Sequence, residues 1–127
     1  MALDIKTITK GNVLVVHLSG ALLFGEESST LRNLVRDRLN QSNQILLDLK
    51  GVSYIDSGGL GTLVALYASA RKAGGEIKLS RLGPRANEVM QITKLLTIFD
   101  VFDDVDAAIA SFGQHTTKQK SAKGPAA

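Results

Sequence analysis

The chain has 127 residues, 44% of them hydrophobic and 21% charged, which fits one domain around one core and excludes a disordered or fibrous protein. It has no cysteine, so a disulfide framework, a Cys-ligated zinc site and a thiol nucleophile are ruled out. Of its 15 Lys and Arg, Lys118, Lys120 and Lys123 lie beyond all 12 acidic residues; the remainder is neutral and lacks the clustered basic stripe that nucleic-acid binding requires.

Residues 5–9 alternate apolar and polar, and Val13 to Ser19 (VLVVHLS) is rich in β-branched residues, with Gly11 and Asn12 between them. This pattern predicts a hairpin. Leu14, Val16 and Leu18 share one face and Val15 and His17 the other, so the first set is the better core candidate. A loop from Ala21 to Glu27 then leads into an amphipathic helix over residues 28–40, where Leu31, Leu34, Val35 and Leu39 follow the helical period.

Gln44 to Leu49 (QILLDL) has the length and apolarity of a buried central strand, and Gly51 to Asp56 is expected to be a loop. Leu60, Leu63, Val64 and Tyr67 mark a second helix that Gly74-Gly75 terminates. Glu76 to Ser80 alternates as a strand, and Pro84 is placed to open a third helix running to about Thr93. Ile98 to Phe102 is expected to form a last strand, with Phe99 and Phe102 filling core. Asp104 to Phe112 completes the pattern as a helix with Asp104 as its cap. The order is that of an α/β domain over residues 1–112, with a mixed sheet of about five strands and about four helices. Residues 113–127 contain no large apolar side chain and are expected to be a disordered basic tail.

The segment Tyr54 to Gly75 (YIDSGGLGTLVALYASARKAGG) joins a loop to a helix through Asp56, Ser57, Gly58 and Gly59. The first amides of a helix have no internal partner and favour an oxygen-bearing group, so a hydroxyl or a phosphate on Ser57 is stabilised there. The plainer alternative is that Asp56 or Ser57 only caps the helix and the glycines only turn the chain.

Val52 to Gly61 (VSYIDSGGLG) resembles the signature of STAS-domain anti-sigma factor antagonists, and Ser57 matches the serine that is phosphorylated in that family. The likeness extends to Val13–Gly20, to Ala73-Gly74-Gly75-Glu76 and to Val89–Asp103, over about residues 3 to 112. It implies a STAS fold and a phosphorylation-switched binding module without catalytic activity. Unphosphorylated, such a module would sequester an anti-sigma factor of the serine kinase type and free a sigma factor. Partner contacts are expected at Asp56, Ser57, Gly58, Gly59, Leu60, Phe24 and Glu26, in a cytoplasmic monomer or weak dimer. Two departures stand out. Where many members carry an acid soon after the second strand, this chain has Ala21-Leu22-Leu23-Phe24 before Glu26 and Glu27, and Gly58 replaces a more usual Ser, Thr or Ala. In a helix interior such a glycine gives up about 1 kcal/mol relative to alanine, and less at the first turn. The alternative within the resemblance is an unswitched STAS scaffold in a signalling assembly or a lipid-transport complex.

Other chemistries lack their residues. The surroundings of Ser57 are not Gly-x-Ser-x-Gly, and no base is in view, because His17 reads as a satisfied sheet residue and His115 falls in the tail. Two such histidines offer no metal-ligand spacing, and Gly58-Gly59-Leu60-Gly61 lacks the Lys-Ser/Thr ending of a phosphate loop, so no cofactor is expected. No run reaches the roughly 18 apolar residues of a membrane span, and Asp4 and Lys6 interrupt the start of the chain. No membrane partner is expected.

Overall fold

The computed structural model describes residues 3–41 and 43–113. Its elements are β1 (Leu3–Lys10), β2 (Val13–Leu22), α1 (Glu26–Leu39), β3 (Gln44–Ile55), α2 (Ser57–Lys72), β4 (Glu76–Ser80), α3 (Pro84–Ile92), β5 (Val101–Phe102) and α4 (Val105–Ser111), with a 3-10 turn at Leu95–Thr97. The strands form one sheet in the order β1-β2-β3-β4-β5. The β1/β2 hairpin is antiparallel, turning at Gly11 with φ of 61°, and the other pairs are parallel. This is the mixed α/β sheet that the sequence predicts.

Strand side chains alternate between faces, and in β2, β3 and β4 both faces carry buried side chains. Leu14, Val16 and Leu18 of β2 and Ile45, Leu47 and Leu49 of β3 pack with Leu31 and Val35 of α1, Leu63 and Leu66 of α2, and Met90 of α3. The opposite face holds a smaller cluster of Val13, Val15, Leu46, Ala108 and Phe112, brought together by α4. Leu14, Val16 and Leu18 thus lie in the larger core as expected, and Val15 on the other face is buried as well, because α4 closes over it. Lys78 is 5% exposed on that second face. Its ammonium donates to the Ser111 carbonyl (3.1 Å) and hydroxyl (2.9 Å) and lies 4.8 Å from the Phe112 ring centroid, so a cation sits at the C-terminal end of α4, where the helix dipole favours it.

Three expected boundaries move. Residues 51–55 belong to β3 rather than to a loop, because β3 continues to pair with Ser19–Leu22 after two register shifts at which it carries an extra residue. Ala21 and Leu22 are strand and Glu26 is already helix, so the expected loop contracts to Leu23–Gly25. Of the strand expected over 98–102 only Val101–Phe102 pairs; Ile98 follows the 3-10 turn, and Phe99 turns into the main core against Tyr67, with ring centroids 5.3 Å apart. Asp104 caps α4 as expected, accepting the Ala107 amide at 2.8 Å. The tail, with His115, lies outside the described residues apart from Gly113. Among the described residues no helix is long and apolar enough to cross a membrane.

Candidate functional site

β3 ends at Ile55, which is buried, and the chain passes through Asp56 directly into α2. Asp56 has extended backbone geometry, and its Oδ1 accepts the Gly59 amide at 2.8 Å, the usual N-cap bond to the third residue of the helix. Both carboxylate oxygens also accept the Phe24 amide, each at 3.1 Å. These amides, Gly59 first and Phe24 second, hold the Asp56 carboxyl below the ordinary value of 3.8, because each favours the charged form.

Ser57 is the first residue of α2 and is exposed. Among the described residues its hydroxyl makes no hydrogen bond, so the cap is Asp56 and Ser57 is left open to solvent. The two glycines that follow fit closely. A Cβ on Gly58 would overlap the Phe24 Cβ, and a Cβ on Gly59 would overlap the Leu22 carbonyl oxygen. The first turn of α2 thus lies flat against the end of β2, and only residues without side chains permit that approach. The Thr62 hydroxyl donates to the Gly58 carbonyl at 3.0 Å and closes the turn from within. The expected cost of Gly58 is corrected accordingly: at this position alanine would meet neighbouring chain.

The predicted partner residues separate into two groups. Asp56, Ser57, Gly58, Gly59 and Phe24 converge on one corner, with Phe24 80% exposed. Leu60 is half-buried and packs partly on the main core. Glu26, in the first turn of α1, lines a shallow cleft with Leu3, Ile5, Glu27 and Thr30, and among the described residues no hydrogen bond joins it to Ser57. The Phe24 to Asp56 hydrogen bond was not visible in the sequence, since it joins residues 32 apart.

A second polar cluster lies on the α4 face. Asp48, 3% exposed in the middle of β3, accepts Arg81 Nε at 2.9 Å and Nη2 at 2.6 Å, His17 Nδ1 at 2.7 Å and the Ser80 hydroxyl at 3.2 Å. Burial pushes the Asp48 carboxyl upward, but the Arg81 and His17 hydrogen bonds outweigh it and hold the group below 3.8. Arg81 is raised in turn, chiefly by its bond to Asp48. An ionised carboxylate only accepts, so His17 carries its proton on Nδ1. His17 is thereby satisfied within the sheet on the face away from α2, and it is not a base for Ser57. The signal for this cluster was a lone Asp inside an apolar strand, which demands partners. Among the described residues no group of three His, Asp or Glu side chains is arranged to hold a metal.

The sequence pattern of the STAS domain family matches residues 4–108. The anti-sigma F factor antagonist of Paenibacillus polymyxa is 29% identical over 107 residues, covering 82% of this chain and 90% of that protein. The anti-sigma-B factor antagonist of Bacillus subtilis is 37% identical over 71 residues, which is 56% of this chain and 65% of that one. A Thermotoga maritima crystal structure, provisionally assigned as an anti-sigma factor antagonist, superposes with a TM-score of 0.78 at 26% identity, covering 84% of this chain and 92% of that one. A family pattern spanning β1 to α4, on a five-stranded sheet whose β3–α2 turn presents an open serine, leads to one conclusion: the chain belongs to the STAS domain family.

Proposed function

We propose that this protein is an anti-sigma factor antagonist whose binding is switched at Ser57. The observation that carries the reading is the exposed Ser57 hydroxyl at the start of α2, without a hydrogen bond among the described residues and next to the bare Phe24 ring. Unphosphorylated, the corner formed by Asp56, Ser57, Gly58, Gly59 and Phe24, flanked by Leu60 and Glu26, docks on an anti-sigma factor of the serine kinase type and displaces its sigma factor. The names of the relatives support an anti-sigma factor as the partner.

The γ-phosphoryl group of the partner's ATP passes to Ser57 Oγ as the bond to the β,γ-bridging oxygen breaks and ADP leaves, and the hydroxyl proton goes to a base on the partner. The ester adds about 1.5 to 2 negative charges beside Asp56. Bringing those charges unpaired against a surface fitted to a neutral hydroxyl costs several kcal/mol, and each 1.4 kcal/mol is tenfold in affinity. The antagonist then dissociates without unfolding. On this reading the chain acts in the cytoplasm as a binding module without chemistry of its own, with a STAS domain over 1–112 and a basic tail after it.

The test is to capture partners from a bacterial lysate on the unmodified chain, incubate the captured kinase with ATP, and locate phosphate by mass spectrometry. Phosphate on Ser57, with Ser57→Asp binding the captured factor at least about tenfold more weakly than Ser57→Ala, supports the switch. Equal binding of the two variants defeats it, and capture of a transporter subunit in place of a kinase favours an unswitched scaffold.

A further inference from the structure

The short segment between β2 and α1 carries Phe24, the most exposed large apolar side chain among the described residues. Aromatic side chains held in place at a contact surface contribute disproportionately to binding, because little of their freedom is left to lose. Phe24 is held in that way although its ring is bare. Its amide donates to the Asp56 carboxylate, its Cα and Cβ occupy the space that Gly58 leaves empty, and the Ser28 hydroxyl donates to the preceding Leu23 carbonyl.

Only Asp56 among these groups is ionised, and it is the residue before Ser57. Its carboxylate serves donors from two separate segments: the Gly59 amide in α2 and the Phe24 amide 32 residues earlier. A phosphate on Ser57 would repel that carboxylate, and its oxygens would compete for the amides of the same helical turn. Gly59 can exchange one anionic acceptor for another without moving. Phe24 cannot follow as easily, since it belongs to a different segment that packs on Gly58 but whose amide hydrogen bond at this corner is made to the Asp56 side chain.

We propose that Asp56 couples the two parts of the corner, so that phosphate on Ser57 withdraws the carboxylate from the Phe24 amide and sets the Phe24 segment loose. Phosphorylation then weakens partner binding twice, by charge at Ser57 and by the loss of a preformed aromatic anchor. Asp56 is a positioning residue in this scheme. The inference rests on Ser57 being the switched residue, but its test needs no partner.

The full chain, labelled with 15N and carrying phosphoserine at position 57, is compared with the unmodified chain by amide exchange and 15N relaxation. Phosphate is expected to speed exchange at the Phe24 amide by about tenfold or more and to lower its heteronuclear NOE, with the amides of Leu47 and Leu79 unchanged. Asp56→Ala without phosphate should reproduce the release, and Ser57→Ala should not. Should Asp56→Ala fail to fold, Asp56→Asn carries the test: it keeps a neutral acceptor, so phosphate should then leave Phe24 as it was. Unaltered exchange and relaxation at Phe24 in the phosphorylated chain overturns the coupling. If phosphate abolishes binding while Phe24 stays fixed, the coupling fails and the functional reading stands. If Phe24 is released but no anti-sigma factor binds, the reverse holds.

Discussion

Phe24 stands where a side chain on Gly58 would have to go: a Cβ built on Gly58 overlaps the Phe24 Cβ and lies 2.8 Å from its Cα. Two effects of a Gly58→Ala substitution therefore oppose each other. Helix propensity favours alanine by up to about 1 kcal/mol, while forcing apart two pieces of backbone costs about 1–3 kcal/mol. The net expectation is a loss of about 1 kcal/mol in urea unfolding. Gly61 is the control. A Cβ there meets nothing within 4 Å, so Gly61→Ala should stabilise by about 0.5–1 kcal/mol. Equal gains at both positions would show that the turn is not closely packed.

The Asp48 cluster should matter more to stability than any single residue of the Ser57 corner. Asp48→Ala leaves Arg81 and His17 without their acceptor on a mostly buried row. Removing one partner of a buried ion pair costs about 3–5 kcal/mol, and Arg81 here keeps partial access to water. A loss of about 2–3 kcal/mol by chemical denaturation is expected. A loss below about 0.5 kcal/mol, the ordinary range of a surface change, would contradict the structural role given to this row.

The acid limb of stability follows from the same carboxylates. Asp48 and Asp56 are both held below 3.8 in the folded chain, so the unfolded chain takes up protons first as pH falls. Their contribution is complete above that ordinary value and disappears as pH drops through the lower folded values. Midpoints of urea unfolding should be flat from about pH 7 to 5 and fall steeply below about pH 4. In Asp48→Asn the fall should be shallower. An unchanged slope in that variant would mean that other carboxylates control the acid limb.

Lys78 fastens α4 through the end of the helix rather than through its apolar face. Lys78→Met keeps the stem in the second cluster and removes the donor to Ser111. A loss of about 1–2 kcal/mol is expected. Amide exchange should rise mainly in α4, with the β2–β3 ladder protected as before. Uniform loosening of the whole sheet would show that α4 does not unfold as a separate unit.

The sequence was most informative where one element has one environment. The β1/β2 hairpin, α2 with its Gly-Gly end, β4 and the Asp104 cap each announce themselves through periodicity or a local hydrogen bond. It misled where tertiary pairing overrides local preference. Lys50, Gly51 and Ser53 look like loop, yet they extend β3, because Gly51 lets the strand run against Ser19, whose Cβ would lie 2.5 Å from a side chain there. The position of Ser57 could be read from the motif, since a helix start after a strand is a local event. Its companion Phe24 could be suspected only from proximity to the strand end, because the bond that fixes it spans 32 residues.

An alternating strand tells inside from outside but is blind to a slide of two residues, which returns every side chain to the same face. Asp48 removes that ambiguity. In the native pairing it faces His17 on one side and Ser80 on the other. Moved one repeat along β2, it would face Val15 or Ser19 instead, and an ionised group would be shut in the sheet away from the imidazole and guanidinium that now hold it. The cluster thus acts as an alignment pin through the three central strands. Because β3 leads directly into α2, whatever fixes the travel of that strand also fixes how far Ser57 is carried beyond the sheet's edge.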